Sequence, residues 1–350
     1  FKQKTAYEIR LSLVGSEMCI RDRFCKVSSK RVLTLRIAIL GIGSIGGMLL
    51  GALADSNAQL IAVSRGYMAS QISERGLTLN TPEGTVEHFP SELFTVIDSE
   101  SGPIPLHLAN SCDFALICGK SHSTSILAQI ASELLSEEGI AISLQNGLGH
   151  SEYLSKKIGQ GNVLGCTITH GAWKDMNSVH WAGRGNIILG SLEGKSPSSK
   201  INDFISLLES SRLSPKWSED INKEIWIKLL INIAINPICA ITGLRNGEIL
   251  MQDDIWNQSY STMLEASIIA KASGIDIDDN DLISKLKLII KSTEKNRCSM
   301  LQDIMNGKET EIDSLCGEIV SKGEYLGIQT PLNAMLCALI KGIETSSKVP

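Results

Sequence analysis

Residues 35–46 read LRIAILGIGSIG, and this stretch decides the fold of the first half of the chain. Residues 35–40 form a short apolar run that predicts a buried strand, and residues 47–56 can continue as a helix. The glycines between them are spaced Gly-x-Gly-x-x-Gly, which permits a tight turn and a close approach of main-chain amides to a pyrophosphate. This context favours a nucleotide loop over a chance glycine-rich turn. We therefore expect an α/β Rossmann domain whose cofactor-binding loop comprises Gly41, Ile42, Gly43, Ser44, Ile45 and Gly46.

A cation follows the second predicted strand, which covers residues 59–63 and ends just before Arg65. At this position NAD-binding proteins carry an acidic residue for the ribose 2′-hydroxyl, whereas arginine suits the 2′-phosphate of NADP. Spacing alone gives equal support to a solvated surface arginine. The hypothesis is that Arg65 selects NADPH.

Two later apolar runs, residues 112–118 and 140–144, predict further strands of a parallel sheet. Lys120 follows the first of them and Asn146 follows the second. Ligands of open parallel sheets bind beyond the carboxyl ends of the strands. We therefore expect both side chains where nicotinamide and substrate meet, although Asn146-Gly147 is also a common turn dipeptide.

Residues 162–192 are rich in glycine and β-forming residues and predict more strands joined by turns. His170 and His180 lie in this stretch without a spaced partner, so we expect structural histidines and no metal site. Residues 213–220 have the polar, proline-containing character of a domain boundary. We place a nucleotide-binding domain at 34–215 and a helical substrate domain at 216–345.

The helical half contains the polar stripe Lys228, Asn232 and Asn236 within an otherwise apolar helix. The spacing i, i+4, i+8 drifts only roughly 80° around a helix, so the three side chains share one face. An unpaired buried lysine costs several kcal/mol, which indicates a polar partner or a wet cleft beside it. A hydrogen-bonded interface between helices is the alternative.

A second polar group, in residues 299–313, follows near the end of the chain. Thr310 could cap a helix, which would place Glu311 in its first turn, where the helix dipole favours a carboxylate. That structural role alone explains both residues when the segment is taken in isolation.

Composition and charge narrow the class of protein. With 43% hydrophobic and 20% charged residues among 350, the chain is an ordinary globular protein long enough for two domains. Its net charge of -5 argues against nucleic acid or an anionic membrane as a partner. The most apolar stretch, residues 225–241, is interrupted by polar residues and falls short of the roughly 20 apolar residues of a membrane span. We expect a small-molecule ligand and no membrane segment.

Nine cysteines occur without a C-x-x-C pair, several of them in apolar runs. This pattern is typical of buried thiols in a reducing compartment rather than of disulfides or zinc, and it indicates a cytoplasmic protein. A homodimer is compatible with the sequence.

Residues 1–33 do not share the pattern of the rest, since they carry eight basic residues against three acidic ones. Their apolar stretch is too short for a secretory signal, and a transit peptide is an alternative. The string VGSEMCIRDR at residues 14–23 resembles translated sequencing-adapter text. We expect a disordered or non-native extension and exclude it from the fold.

Five elements in order resemble the ketopantoate reductase (2-dehydropantoate 2-reductase) family over residues 35–345. They are the glycine loop GIGSIGG, Lys120 after a strand, LQNGLG at 144–149, the K-x-x-x-N-x-x-x-N helix and SMLQDIMNGKETEID at 299–313. The resemblance implies a Rossmann domain followed by an all-α domain similar to the C-terminal part of 6-phosphogluconate dehydrogenase. It also implies reduction of 2-dehydropantoate by NADPH, giving pantoate for pantothenate synthesis.

Carried over residue by residue, the resemblance implies that Lys228 is the general acid and that Glu311 assists it. Arg65 would bind the 2′-phosphate, while Lys120 and Asn146 would lie beside the cofactor. The side chains implied to bind the substrate's oxygens are Asn146, Asn232, Asn236 and Ser299. A lysine in an apolar helix suits this chemistry, because burial lowers its pKa towards the range of an acid near pH 7.

Three alternatives stay open. The same chemistry on another small 2-oxo acid is the first, since related folds host varied substrates. A non-catalytic NADP-binding regulator is the second, and Lys228 and Glu311 argue against it because a sensor needs no proton donor. A dimerisation module is the third, and the glycine loop argues against it.

Overall fold

The apolar run after Leu35 forms the strand around which a parallel sheet is built. The computed structural model describes residues 34–176 and 178–346, so the predicted extension at 1–33 lies outside the described residues. From Leu35 onward the chain forms one compact unit. The strands are β1 Arg36–Leu40, β2 Gln59–Ser64, β3 Leu77–Asn80, β4 Val86–Phe89, β5 Phe94–Asp98, β6 Cys112–Ile117, β7 Leu135–Ser143, β8 Val163–Ile168, β9 Gly171–Lys174, β10 Val179–Gly183, β11 Ile187–Ser191 and β12 Pro215–Trp217.

The helices alternate with strands in the first half and follow one another in the second. They are α1 Ser44–Leu53, α2 Tyr67–Arg75, α3 Thr124–Leu134, α4 His150–Ile158, α5 Ser199–Ser210, α6 Ile221–Thr242, α7 Asp253–Ala272, α8 Asp279–Ser292, α9 Ser299–Met305, α10 Glu318–Leu326 and α11 Pro331–Ser346. Shorter helical turns lie at Ser91–Leu93, Ser121–Ser123, Gln160–Asn162 and Asn246–Met251, and a π-helical turn lies at Asp313–Gly317.

The main sheet has eight strands in the order β12-β11-β8-β7-β6-β1-β2-β5. From β5 to β8 the neighbours are parallel, whereas β11 runs antiparallel to β8. The chain leaves β1 towards β2 and β5, then crosses back to β6 on the other side of β1. The order therefore reverses between β1 and β6, and this switch point is where ligands of open α/β sheets bind.

A second sheet of four strands, in the order β4-β3-β10-β9, packs against α1. Its central pair is parallel, with Val179 of β10 opposite Leu79 of β3. A Cβ at Gly47 of α1 would lie 2.6 Å from a methyl carbon of Val179, so this glycine permits the contact. The sequence predicted strands over residues 162–192 but did not predict this sheet.

Helix α6 is the centre of the second half. Asp220 caps its start, because the carboxylate accepts a hydrogen bond from the Lys223 amide at 3.0 Å. Left-handed Gly243 ends it. The helix packs against α7, α9 and α11 and contacts β8 and β11. It is long and apolar enough to cross a membrane, but 67% of its most apolar window is buried inside the protein, as in a core helix.

The predicted combination of an α/β Rossmann part and an all-α C-terminal part is confirmed. The predicted division between residues 215 and 216 falls within β12, which extends the main sheet beside β11. The all-helical part therefore begins at Ile221 in the structure. The two domain ranges themselves stay a prediction.

Candidate active site

The glycine loop has the shape that a bound anion needs. A Cβ at Gly46 would lie 2.2 Å from the Gly41 carbonyl oxygen, so only glycine lets α1 start this close to the loop. A Cβ at Gly43 would meet nothing within 4 Å, which shows that this side of the loop is open. Helix α1 begins at Ser44, and its first-turn N–H groups have no acceptor within the helix. The loop can thus bind a phosphate group at its open side.

Arg65 follows β2 and is exposed at the same edge of the sheet. The turn that carries it is held by Asp98, whose carboxylate accepts hydrogen bonds from the amides of Glu100 at 3.0 Å and Gly66 at 3.1 Å. The Ser101 hydroxyl donates a third bond at 2.7 Å. These bonds, led by the one from Glu100, keep the pKa of Asp98 below its usual range. The Asp98 carboxylate therefore accepts hydrogen bonds that stabilise this turn.

Lys120 lies after β6 and joins the sheet to α9. Its Nζ is 2.5 Å from Asp303 Oδ2 and donates a hydrogen bond to the Glu309 carbonyl oxygen at 3.0 Å. Burial raises the pKa of Asp303, and the bond from Lys120 opposes this shift. Sequence reasoning missed Asp303, since nothing in its local pattern indicates a partner so far away along the chain.

Asn146, after β7, meets Glu311 from the helical half. The Asn146 side-chain amide donates a hydrogen bond to Glu311 Oε2 at 2.9 Å. Gly147 makes this approach possible, because its φ is +97° and a Cβ there would lie 2.2 Å from the Ser314 carbonyl oxygen. The same oxygen accepts a bond from the Leu148 amide at 3.3 Å. The structure thus brings together two residues that the resemblance assigned to one site.

Lys228 lies half-buried on α6 and lines a cavity together with Asn146 and Cys166. Burial lowers the pKa of Lys228, while the Glu311 carboxylate acts in the opposite direction. The same burial raises the pKa of the Cys166 thiol to about 12, so a neutral thiol lies beside the ammonium. Lys228 therefore has the environment of a proton donor whose pKa is shifted towards neutrality.

The other two residues of the predicted polar stripe lie further along α6, which packs against α9. Asn232 is half-buried and Asn236 is only 7% exposed. The Cys298 thiol, which precedes α9, donates a hydrogen bond to the Asn236 carbonyl oxygen at 3.5 Å. Ser299, the first residue of α9, is exposed next to this contact. Lys228 thus lines a cavity, whereas the main chain of Asn236 contacts the residue that precedes α9.

The prediction that Thr310 caps a helix with Glu311 in its first turn is wrong. Residues Asp313–Gly317 form a π-helical turn that leads into α10, so Glu311 lies before the turn and not inside a first α-helical turn. The Thr310 hydroxyl accepts a bond from the Ile312 amide at 3.2 Å, and its own amide donates to Glu344 at 2.7 Å. The loop is held from α11 as well, which local sequence does not reveal.

Both histidines of the strand-rich stretch have partners within the protein. His170 is buried, and its Nε2 lies 3.0 Å from the Leu213 carbonyl oxygen, while the Trp181 indole donates to its Nδ1 at 3.2 Å. His180 pairs with Asp175 at 2.9 Å. These contacts fit the structural roles expected for them.

Comparisons with known proteins point to one family. The profile described as "Ketopantoate reductase PanE/ApbA" matches residues 37–194, and that of its C-terminal part matches residues 220–344. The chain belongs to the ketopantoate reductase family. The 2-dehydropantoate 2-reductase of Pyrococcus horikoshii is 31% identical over 89% of this chain and 98% of its own length. The enzyme of the same name from Archaeoglobus fulgidus is 29% identical with the same coverage.

Solved structures agree with this family and its fold. A PanE/ApbA family ketopantoate reductase from Ralstonia eutropha JMP134 superposes with a TM-score of 0.79 at 26% identity, covering 90% of this chain and all of that one. A D-mandelate dehydrogenase, solved with NADH and anilino(oxo)acetate, gives a TM-score of 0.81 at 22% identity over the same shares. At that identity the second likeness concerns the fold alone.

Proposed function

We propose that this protein reduces 2-dehydropantoate to (R)-pantoate with NADPH, as a step towards pantothenate and coenzyme A. Family membership supports the reaction. The observation that supports this proposal most directly is the hydrogen bond of 2.9 Å from the Asn146 side-chain amide to Glu311 Oε2. It lies next to Lys228, whose pKa is lowered by burial. The nucleotide-binding half thus contributes the Asn146 amide, and the helical half contributes the Glu311 carboxylate and the proton donor Lys228.

The cofactor would be held at the edge of the main sheet. The open side of Gly43 and the first turn of α1 suit its pyrophosphate, and exposed Arg65 suits a 2′-phosphate. Lys120 and Asn146 follow the strands on the far side of the switch point, where the nicotinamide end of the cofactor would lie. When bound, the cofactor supplies the hydride that is transferred to the keto carbon.

Side chains of the protein neutralise the negative charge that develops on the keto oxygen. Lys228 donates its proton to that oxygen, since hydride attack on a ketone builds negative charge there. Glu311 orients the Asn146 amide and opposes the lowering of the Lys228 pKa, which keeps the lysine protonated. The groups that bind the remaining oxygens of the substrate are Asn146, Asn232, Asn236 and Ser299.

A panel of 2-oxo acids tests the substrate. NADPH oxidation is measured with 2-dehydropantoate, pyruvate, 2-oxoisovalerate and phenylglyoxylate, and with NADH in parallel. We expect the highest kcat/KM for 2-dehydropantoate with NADPH. Preference for another member of the panel would keep the mechanism and change the substrate, as the fold shared with a D-mandelate dehydrogenase illustrates. Tight NADPH binding without turnover of any acid would favour a regulator.

We also propose a cytoplasmic location. The seven described cysteines are free thiols, five of them buried, which suits a reducing compartment. Size-exclusion chromatography with light scattering decides between a monomer and a homodimer.

A further inference from the structure

A buried polar cluster connects the two loops that carry Lys120 and Asn146, and two of its members, Gln145 and His150, also line the cavity that Lys228 lines. It consists of Thr124, Gln145 and His150, each 8% exposed. None of these side chains has a role in the chemistry described above. Buried polar groups are costly unless they are hydrogen-bonded, so the bonds within this cluster show what it holds in place.

Gln145 ties the loop after β7 to the loop after β6. Its side-chain amide donates to the Gly119 carbonyl oxygen at 2.8 Å and to the Thr124 hydroxyl oxygen at 2.9 Å. Its amide oxygen accepts a bond from the Ser143 hydroxyl at 3.2 Å. Gly119 immediately precedes Lys120, so Gln145 fixes the point from which that side chain starts.

Thr124 and its neighbour hold the turn that carries Lys120. The Thr124 hydroxyl donates to the Ser121 carbonyl oxygen at 2.7 Å, which leaves its oxygen free to accept the bond from Gln145. The Ser123 hydroxyl donates to the carbonyl oxygen of Lys120 itself at 2.6 Å.

His150 acts on the backbone of Asn146. Its Nε2 lies 3.0 Å from the Asn146 carbonyl oxygen, which can only accept, so Nε2 carries a proton and donates it. The other ring nitrogen lies 3.3 Å from the Thr124 hydroxyl oxygen. The peptide from which the Asn146 amide projects towards Glu311 is thereby held from behind.

We infer that His150, supported by Thr124 and Gln145, is a positioning residue of the reaction: it fixes the Asn146 peptide so that the side-chain amide stays bonded to Glu311 and aimed at the cleft. The inference rests on the proposed function for its activity readout. A misplacement of about 1 Å by a group remote from the reacting atoms can cost about 100-fold in rate. His150→Ala should therefore lower kcat by about 10- to 100-fold.

His170→Ala is the matched control. His170 is also buried, and its Nε2 lies at the same 3.0 Å from a main-chain carbonyl oxygen, that of Leu213, but it touches neither cleft loop. Both variants should lose thermal stability. Measured well below either Tm, kcat should fall only in His150→Ala, and His150→Gln, which retains an N–H donor, should recover part of it. An equal fall of kcat in both variants would overturn the inference.

A double-mutant cycle tests whether His150 acts through Asn146. In an Asn146→Ala background, His150→Ala should change kcat by less than about threefold, because the group it positions is gone. Losses that multiply would contradict this role. The cycle uses whichever 2-oxo acid the unaltered enzyme reduces best, so a wrong substrate in the proposed function does not affect its outcome.

Nuclear magnetic resonance gives a readout without cofactor or substrate. In protein labelled with ¹⁵N-asparagine, the side-chain amide signal that disappears in Asn146→Ala identifies Asn146. We expect this signal to shift in His150→Ala and to stay in place in His170→Ala. An unchanged Asn146 signal in His150→Ala would overturn the inference even if no 2-oxo acid were reduced.

Discussion

Lys120 and Asp303 form an ion pair, with Lys120 Nζ 2.5 Å from Asp303 Oδ2. The lysine follows β6 of the main sheet and the aspartate lies in α9, so the pair connects the nucleotide half to the helical half. The two side chains are 33% and 17% exposed. Even with this cation in contact, burial keeps the pKa of Asp303 above its ordinary value of 3.8. Burial, with Glu344 acting in the same direction, thus disfavours ionisation of Asp303 more than Lys120 favours it.

Asp303→Asn should raise Tm at pH 7 by about 2 °C, because the amide retains an oxygen for Lys120 without a buried charge. The folded-state pKa of Asp303 is raised, so its ionisation costs stability above that pKa and nothing well below 3.8. The gain should thus be present at pH 7 and vanish as the pH falls towards 3.8. Calorimetry between pH 4 and 8 measures it, with the exposed Asp203→Asn as control. A lower Tm at pH 7 would show that the ion pair outweighs burial.

Lys228→Ala should lower kcat at least about 100-fold, the usual contribution of a general acid. The affinity for NADPH should change little, since the glycine loop and Arg65 lie in the other half of the chain. Steady-state kinetics and fluorescence titration measure the two effects. Lys223→Ala, five residues earlier on α6 and paired with surface Asp276, is the control. Near-normal kcat in Lys228→Ala would remove the assignment of the acid.

The pH profile of kcat provides a separate test of Lys228. A general acid must be protonated, so kcat falls as the pH rises through its pKa. Because burial lowers the pKa of Lys228, this basic limb should lie below 10.5 in the unaltered enzyme. Lys228→Arg, whose guanidinium does not titrate in this range, should remove the limb from whatever activity remains. A limb that persists in Lys228→Arg would belong to another group.

Arg65→Asp should weaken NADPH binding much more than NADH binding, because the carboxylate would repel a 2′-phosphate and could bond to a free ribose hydroxyl. Dissociation constants for both cofactors decide this. Arg75→Asp, the matched control, places the same charge change at another exposed arginine, at the far end of α2. Equal losses for NADPH and NADH in Arg65→Asp would mean that Arg65 is an ordinary surface residue.

Gly147→Ala and Gly149→Ala separate backbone strain from steric contact. Both glycines have positive φ, +97° and +83°, which costs a residue with a side chain about 1–2 kcal/mol. Only at Gly147 would the new methyl group collide with backbone, 2.2 Å from the Ser314 oxygen, whereas at Gly149 nothing lies closer than 3.5 Å. Urea unfolding should therefore show a larger loss for Gly147→Ala, together with a fall in kcat. Equal losses would mean that the backbone near Ser314 moves aside freely.

The sequence predicted those features that follow from local pattern. The glycine loop, the strand ends at Lys120 and Asn146, and the polar face of α6 were all expected, and the structure places them as elements of a Rossmann part and a helical part. The resemblance, rather than spacing, connected Glu311 with Asn146. Contacts between segments far apart along the chain were not predicted, because no local sequence pattern indicates them. The bond from Lys120 to Asp303 and the cluster around His150 are of this kind.

The second sheet went unpredicted for a related reason. Its strands are short, and β3 pairs with β10 in parallel, so the pairing depends on a long excursion of the chain and not on a hairpin turn. The predicted cap at Thr310 was wrong for a related reason. The Thr310 amide donates a hydrogen bond to Glu344 of α11, and the local sequence does not indicate this contact.

The parallel pairing of β3 with β10 sets an order of events during synthesis on the ribosome. Helix α1 leaves the ribosome early, but the Val179 side chain that packs on its Gly47 is made only after most of the main sheet. Closing so long a loop carries an entropic cost that local contacts do not offset. A nascent chain that stops before β10 should therefore cover this face of α1 with β3 alone, and leave the part around Gly47 in reach of chaperones and proteases.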